Sequence, residues 1–290
     1  MAQVSFSKIN DQLNKLISNK DKYNLYKPKK FLGQNFLVDE NIAKKIAASL
    51  EIKPDDTVIE IGPGQGVLSK YLCKLSQKFF AVEIDKFIFE KLNQQFGEQI
   101  KLIHKDFLKF DFNTDISDHN GKIKIIGNIP YNITTEILFK LYDSNFIIES
   151  AVLMMQKEVA MRLTAKPNTK DYGILAIQTQ LHTVPKILFN VPPTAFFPKP
   201  NVNSSIVKLE FKKDTNELED KALFKKLVRE SFGQRRKTMR NSLKKFAEKN
   251  KISFDEINFD FSRRPENVSL KEFVILTNGI KKLLEGNTYG

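Results

Sequence analysis

Three acidic or glycine-rich segments have residue types and spacings that suit a nucleoside. Glu60-Ile-Gly-Pro-Gly-Gln-Gly66 stands where an apolar run gives way to a helical pattern. Glycines at such a junction permit a sharp turn and let a ligand approach the backbone. The spacing is G-x-G-x-G. The dinucleotide fingerprint would need a glycine at position 67, which is Val67. A pyrophosphate seated on a helix N-terminus is therefore disfavoured, and with it a nicotinamide dehydrogenase. Glu83 ends the next apolar run, where a carboxylate can accept two hydrogen bonds from a ribose diol. Asp106 ends the third, in His104-Lys-Asp-Phe107, and can accept from an adenine amine with Phe107 beside it.

A fourth segment, Gly127-Asn-Ile-Pro-Tyr-Asn132, suits a second planar base. Pro130 fixes its own φ and biases Ile129 to an extended conformation. The stiff turn can aim the Asn128 amide oxygen and the Ile129 carbonyl in one direction. Two acceptors would hold the two protons of an exocyclic amine while the Tyr131 ring stacks on the base. Such stacking is worth roughly 1–3 kcal/mol. Another aromatic element is Pro192-Pro-Thr-Ala-Phe-Phe-Pro-Lys-Pro200. Phe196 is expected to cover the opposite face of the base, and Phe197 to serve the core. No His, Cys or Lys near these segments stands out as a general base, so the proton is expected to leave to water. His104, His119 and His182 are read as structural.

These residues need strand ends to position them. Thr57–Ile61, Phe79–Glu83, Lys101–His104, Ile123–Ile126 and Ala151–Met155 read as strands, with further extended segments at Lys186–Val191 and Ser205–Phe211. Helical patterns intervene at Glu40–Leu50 (Asp39 as N-cap), Gly66–Leu75, Lys86–Phe96, Thr134–Asp143, 156–164 and 171–182. The alternation predicts an α/β domain with a mostly parallel, covered sheet. From about Thr215 the pattern is helical, with candidates at Glu217–Phe232, Lys237–Lys249 and Leu270–Leu284. Lys212–Asp220 reads as a linker, and residues 1–27 as a polar leader.

The 290 residues have an ordinary globular balance, 41% hydrophobic and 28% charged, which excludes wholesale disorder. The net charge of +13 is concentrated. Residues 1–45 hold nine Lys/Arg against four Asp/Glu, and residues 225–251 hold eleven against two. Two basic zones on a near-neutral body point to a polyanion, most simply nucleic acid. Lys29, Lys30, Arg235, Arg236, Lys237, Arg240, Lys244 and Lys245 are the candidates to hold phosphates. The single cysteine, Cys73, excludes an internal disulfide, and no Cys/His cluster suggests zinc. No apolar run approaches the roughly 18 residues of a membrane span, and no signal peptide is evident. A cytoplasmic protein without a metal is expected.

With these segments in hand, the chain resembles the small-subunit ribosomal RNA adenine dimethyltransferases, the KsgA/RsmA family. The resemblance runs from about Lys29 to the C-terminus. It rests on Gly33-Gln-Asn-Phe-Leu37, the glycine loop, Glu83-Ile-Asp85, Asp106-Phe107, Asn128-Ile-Pro-Tyr131, Phe196-Phe-Pro-Lys-Pro-Asn-Val-Asn-Ser204 and Phe232-Gly-Gln-Arg-Arg-Lys-Thr-Met-Arg-Asn-Ser-Leu243.

The resemblance implies a Rossmann-like, seven-stranded class I methyltransferase domain over 28–212 and a small all-helical RNA-binding domain over 213–290. It implies S-adenosylmethionine as cofactor. The implied substrate is a pair of adjacent adenosines in the 3′-terminal hairpin loop of 16S rRNA, each dimethylated at N6 by a monomeric enzyme during small-subunit biogenesis. Gln34, Asn35, Leu37, Glu60, Gly62, Gly64, Glu83, Ile84, Asp106, Phe107 and Asn128 would line the cofactor site. Asn128, Ile129, Tyr131 and Phe196 would take the target base. Phe197 departs from the family, in which smaller residues often stand there, and this leaves the choice of stacking ring open. Two alternatives share these motifs: a large-subunit rRNA methyltransferase conferring antibiotic resistance, and a non-catalytic assembly factor on the same scaffold. The Gln234-Arg-Arg-Lys-Thr-Met-Arg240 segment favours the small-subunit reading.

Overall fold

Strand and helix alternate as the apolar periodicity requires. A computed structural model of the protein describes residues 27–116, 122–213 and 217–286. The expected leader, apart from Lys27, and His119 lie outside the described residues. A two-residue strand β1 (Phe36–Leu37) precedes α1 (Glu40–Ser49), whose N-cap Asp39 accepts from the Asn41 and Ile42 N–H groups. Then come β2 (Thr57–Ile61), α2 (Ser69–Leu72), β3 (Lys78–Glu83), α3 (Lys86–Phe96), β4 (Lys101–His104), β5 (Ile123–Asn128) and α4 (Thr134–Asp143). They are followed by β6 (Ile148–Gln156), α5 (Lys157–Leu163), α6 (Ile174–His182), β7 (Thr183–Val191), β8 (Phe196–Phe197) and β9 (Ser204–Phe211).

Seven of these strands form one sheet in the order β4-β3-β2-β5-β6-β9-β7. The first five are parallel, and β9 runs antiparallel to both β6 and β7. This is the seven-stranded α/β sheet expected. Every residue of β2 is buried, as a strand covered on both faces requires. Alternation sends Val58 to one face, into the buried cluster that holds Ile46 and Leu92, and Ile59 to the other, into the cluster that holds Leu138.

Several boundaries differ from expectation, two of them for a clear physical reason. β7 begins at Thr183 and contains Pro185, which the sheet tolerates because β7 is an edge strand. The helix expected over Gly66–Leu75 is regular only at Ser69–Leu72, because the residues before it form the turns of the glycine loop.

The C-terminal segment folds as α7 (Lys221–Phe232), α8 (Met239–Asn250) and α9 (Leu270–Gly286). Thr238 caps α8 by accepting from the Asn241 N–H, so Arg235, Arg236 and Lys237 lie in the turn before that helix. Ala176, Ile177 and Leu181 of α6 join Phe224, Leu227 and Phe273 in one buried cluster. The helical segment is thereby welded to the sheet domain through α6. Among the described residues, no helix is long and apolar enough to cross a membrane.

Candidate active site

The chain order creates the site. β2, β3 and β4 build outward on one side, and the chain then returns to place β5 against the other edge of β2. Such a switch point opens a crevice at the carboxyl ends of the strands. Ile61 of β2 pairs with Gly127 of β5, so Gly62 and Asn128 stand side by side at the carboxyl ends of the two strands. They border a cavity of about 220 Å³. All eleven residues expected to hold a cofactor line it, as do Ile129 and Tyr131.

The glycine loop leaves room over its backbone. Gly62 has φ +62°, and a Cβ built on it would meet nothing within 4 Å. Gly64 has φ +56°, and its Cβ would lie 2.8 Å from Phe36 Cδ1, so Phe36 packs directly on the loop. Glu83 reaches under the loop. Its Oε2 accepts from Gly64 N at 3.3 Å, and its Oε1 from Asp85 N at 2.8 Å. Burial raises the Glu83 carboxyl, and these N–H donors oppose that rise. Glu60 is 1% exposed, and its Oε2 accepts from Ser69 Oγ at 2.6 Å. Burial, reinforced by the nearby Glu83 charge, pushes Glu60 up to about 8. Burial thus favours the neutral acid at Glu60, which borders the cavity with its carboxyl engaged by Ser69. Asp106 caps the turn Phe107–Lys109, with Oδ1 accepting from Leu108 N at 2.9 Å.

The Asn-Ile-Pro-Tyr turn is fixed at each residue. The Asn128 amide nitrogen donates to the Asn35 carbonyl at 2.7 Å. The Ile129 N–H donates to the Met154 carbonyl of β6 at 3.0 Å. Thr134 Oγ1 donates to the Pro130 carbonyl at 3.1 Å. Tyr131 Oη lies 2.6 Å from Ser204 Oγ. With its NH₂ group committed to Asn35, Asn128 presents its oxygen as an acceptor.

A strap over 29–37 roofs the cavity. Lys29 Nζ pairs with Asp85 Oδ2 at 2.8 Å, and the Lys29 N–H donates to Gln34 Oε1 at 2.8 Å. Asn132 Nδ2 donates to the Phe31 carbonyl at 3.4 Å. At its far end β1 pairs antiparallel with β8.

Several expected site residues lie elsewhere. Phe196 is only 4% exposed and packs in the core with Phe36 and Leu37, outside the cavity, whereas Phe197 is 42% exposed. The core ring of the pair is therefore Phe196, not Phe197 as expected, and neither ring lines the cavity. Strand alternation separates the two rings: β8 places Phe196 opposite Leu37 on one face and Phe197 opposite Phe36 on the other. Lys29 is taken by Asp85, and Lys30 enters a single 3₁₀ turn (Lys30–Leu32). Arg235 donates to the Lys170 and Tyr172 carbonyls, at 3.1 Å each, and lies 3.5 Å from Glu266. Arg240 pairs with Asp255 at 3.2 Å and sits over the Phe254 ring. Arg236, Lys237, Lys244 and Lys245 are exposed.

Among the histidines, His182 is buried and stacked on Tyr142 at 5.5 Å, and burial pushes it down to about 4. His104 Nε2 lies 3.2 Å from the Ile84 carbonyl. Sequence reasoning missed Phe31, Phe36 and Asn132, all of which line the cavity. An aromatic residue between Lys30 and Gly33, and a second asparagine four residues after Asn128, were the available signals.

Comparison with known proteins bears on this geometry. The sequence pattern described as "Ribosomal RNA adenine dimethylase" matches residues 26–274. The chain is 42% identical over 255 residues to the ribosomal RNA small subunit methyltransferase A of Francisella tularensis subsp. novicida (strain U112), covering 87% of this chain and 97% of that one. It resembles the crystal structure of a dimethyladenosine transferase from Plasmodium falciparum with a TM-score of 0.71 and 27% identity, over 85% of this chain and 98% of that one. The 23S rRNA methyltransferase ErmE shares the fold, with a TM-score of 0.63 and 23% identity over 85% of this chain and 100% of that one.

Proposed function

The chain belongs to the ribosomal RNA adenine dimethylase family, and we propose that it methylates the N6 amines of two adjacent adenosines in the 3′-terminal hairpin loop of 16S rRNA, within the small ribosomal subunit. Membership makes it an S-adenosylmethionine-dependent rRNA methyltransferase. The observation that carries the reading is the fixed pair of acceptors, Asn128 and Ile129, on the wall of a cavity that the glycine loop and Glu83 also line.

The residues present fit the cofactor. The open space over Gly62 is a cradle that any side chain there would fill. Glu83, held beneath the loop by two N–H groups, suits the ribose hydroxyls. Asp106 has one oxygen on the Leu108 N–H, and its second oxygen suits an adenine amine, with Phe107 and Ile84 as apolar flanks. When bound, S-adenosylmethionine supplies an electrophilic sulfonium methyl.

Asn128 and Ile129 then do the chain's own work. An adenine amine is a poor nucleophile because its lone pair is delocalised into the ring. In the first transfer, donating both N–H bonds to the Asn128 oxygen and the Ile129 carbonyl favours a more pyramidal nitrogen; in the second, the methylated amine has one N–H left to donate. Holding two reactants in line is worth up to roughly 7–11 kcal/mol. Tyr131 stacks on the base, Phe197 offers the exposed ring of its pair, and the amine proton leaves to water. The base must be out of its stack to reach these groups, which favours a loop substrate.

Residues 28–212 carry the chemistry in this reading. Residues 213–290 position RNA through Arg236, Lys237, Lys244 and Lys245. The protein acts as a cytoplasmic monomer. Incubation with small subunits that lack the modification, with tritiated S-adenosylmethionine and mapping of the labelled adenosines, tests it. Label in the paired loop adenosines is expected. Label confined to large subunits, supplied in parallel, would establish the antibiotic-resistance alternative instead.

A further inference from the structure

The segment Phe196–Ser204 reaches the site, though not through the ring expected of it. Phe196 lies in the core, and what the segment delivers is the Ser204 hydroxyl, 2.6 Å from Tyr131 Oη. Ser204 is fully buried and opens β9, where it pairs with Gln156 of β6 on one side and Val191 of β7 on the other. Its position is therefore set by three strands of the sheet. Tyr131 instead sits in the single 3₁₀ turn Tyr131–Ile133, only partly buried. Its ring can swing about the Cα–Cβ bond, and a hydrogen bond at the phenol oxygen, which lies on the Cβ–Cγ axis, removes that swing and fixes where the ring stands.

We propose that Ser204 is a positioning residue for methyl transfer: its hydroxyl keeps the Tyr131 ring from swinging away from the place where the target adenine stacks. The proposal rests on the functional reading above. A ring left to swing must be ordered anew with every base captured, so the loss falls on turnover. Cofactor affinity, assigned to Gly62, Glu83 and Asp106, is unaffected.

The test compares Ser204→Ala, Tyr131→Phe and the double variant on unmodified small subunits, with calorimetric S-adenosylmethionine binding and thermal melts alongside. Each single change is expected to lower kcat about tenfold, the order for residues that touch directly, with cofactor affinity unchanged. The double variant should be no slower than Tyr131→Phe to within about twofold, because the same hydrogen bond is missing from all three. A double variant slowed by the product of the two single losses overturns the proposal, as does wild-type kcat in Ser204→Ala. If Ser204→Ala melts early, Tyr131→Phe, which keeps the ring and lacks only the hydroxyl, decides alone: normal turnover there also overturns it. A wild-type enzyme that transfers no label overturns the functional reading itself, which the variants separate from failure of the positioning role.

Discussion

The Asn128 side-chain nitrogen donates to the Asn35 backbone carbonyl at 2.7 Å across 93 residues of sequence. That bond decides which end of the amide faces the cavity. It also ties the strap over 29–37 to the end of β5, so the acceptor and the roof of the site are set together. Asn128→Ala removes the acceptor and this tie. We expect methyl transfer to fall by at least about 100-fold, the scale for losing one preorganised polar group in an active site. S-adenosylmethionine binding, measured by calorimetry, should weaken far less. Near-normal turnover would refute the assigned role.

Two glycines of one loop should fail in different ways. Both adopt left-handed φ, which costs an alanine about 1–2 kcal/mol. At Gly62 the added methyl enters open space in the cavity, so Gly62→Ala should fold and lose cofactor affinity. At Gly64 the methyl collides with Phe36 at 2.8 Å, so Gly64→Ala should show the larger drop in Tm. Thermal melts with and without S-adenosylmethionine check both; equal Tm losses would contradict the difference in surroundings.

The strand-end logic is legible in the sequence because it follows from local pattern. Val58 and Ile59, or Glu83 at the end of its apolar run, announce a covered sheet with acids at its rim. Asn-Ile-Pro-Tyr is legible because Pro130 restricts its own neighbourhood whatever the tertiary context. Phe196 and Phe197 are not separable, since adjacent strand residues differ only in which face meets the core, and that is fixed by the pairing of β8 with distant Phe36–Leu37. Arg235 escapes for a related reason. Charge and spacing do not reveal that carbonyls at Lys170 and Tyr172 wait for it.

The basic residues should therefore divide by role. Arg236, Lys237, Lys244 and Lys245 are exposed, Lys244 lying 3.8 Å from Glu248, and Arg235, exposed as well, is the one of the five that bridges the α7–α8 turn to the loop before α6. Replacing the other four with glutamine should flatten log K against log salt for RNA binding. The slope should change by about 0.7–0.9 for each phosphate no longer neutralised. Cofactor binding and Tm should hold. Arg235→Gln should instead lower Tm and leave the salt slope nearly unchanged. If Arg235→Gln flattens the slope as the others do, its internal bonds are not its main role.

Glu60 should make stability depend on pH. Its carboxyl is pushed from the ordinary 4.5 up to about 8, first by burial and then by the Glu83 charge, while the Ser69 hydroxyl opposes the rise. The folded state therefore holds this proton more tightly than the unfolded chain does. The contribution to stability is complete at pH values below the unfolded carboxyl's range. It is lost as pH rises toward about 8, where the folded group also ionises, and above that it stays constant. Glu60→Gln mimics the neutral acid, keeps an acceptor for Ser69 and has no proton to lose. Melting curves from pH 5 to 9 should show the wild type losing stability relative to Glu60→Gln up to about pH 8, with parallel behaviour beyond. Parallel curves across the whole range would mean that Glu60 is ionised in the folded protein at neutral pH.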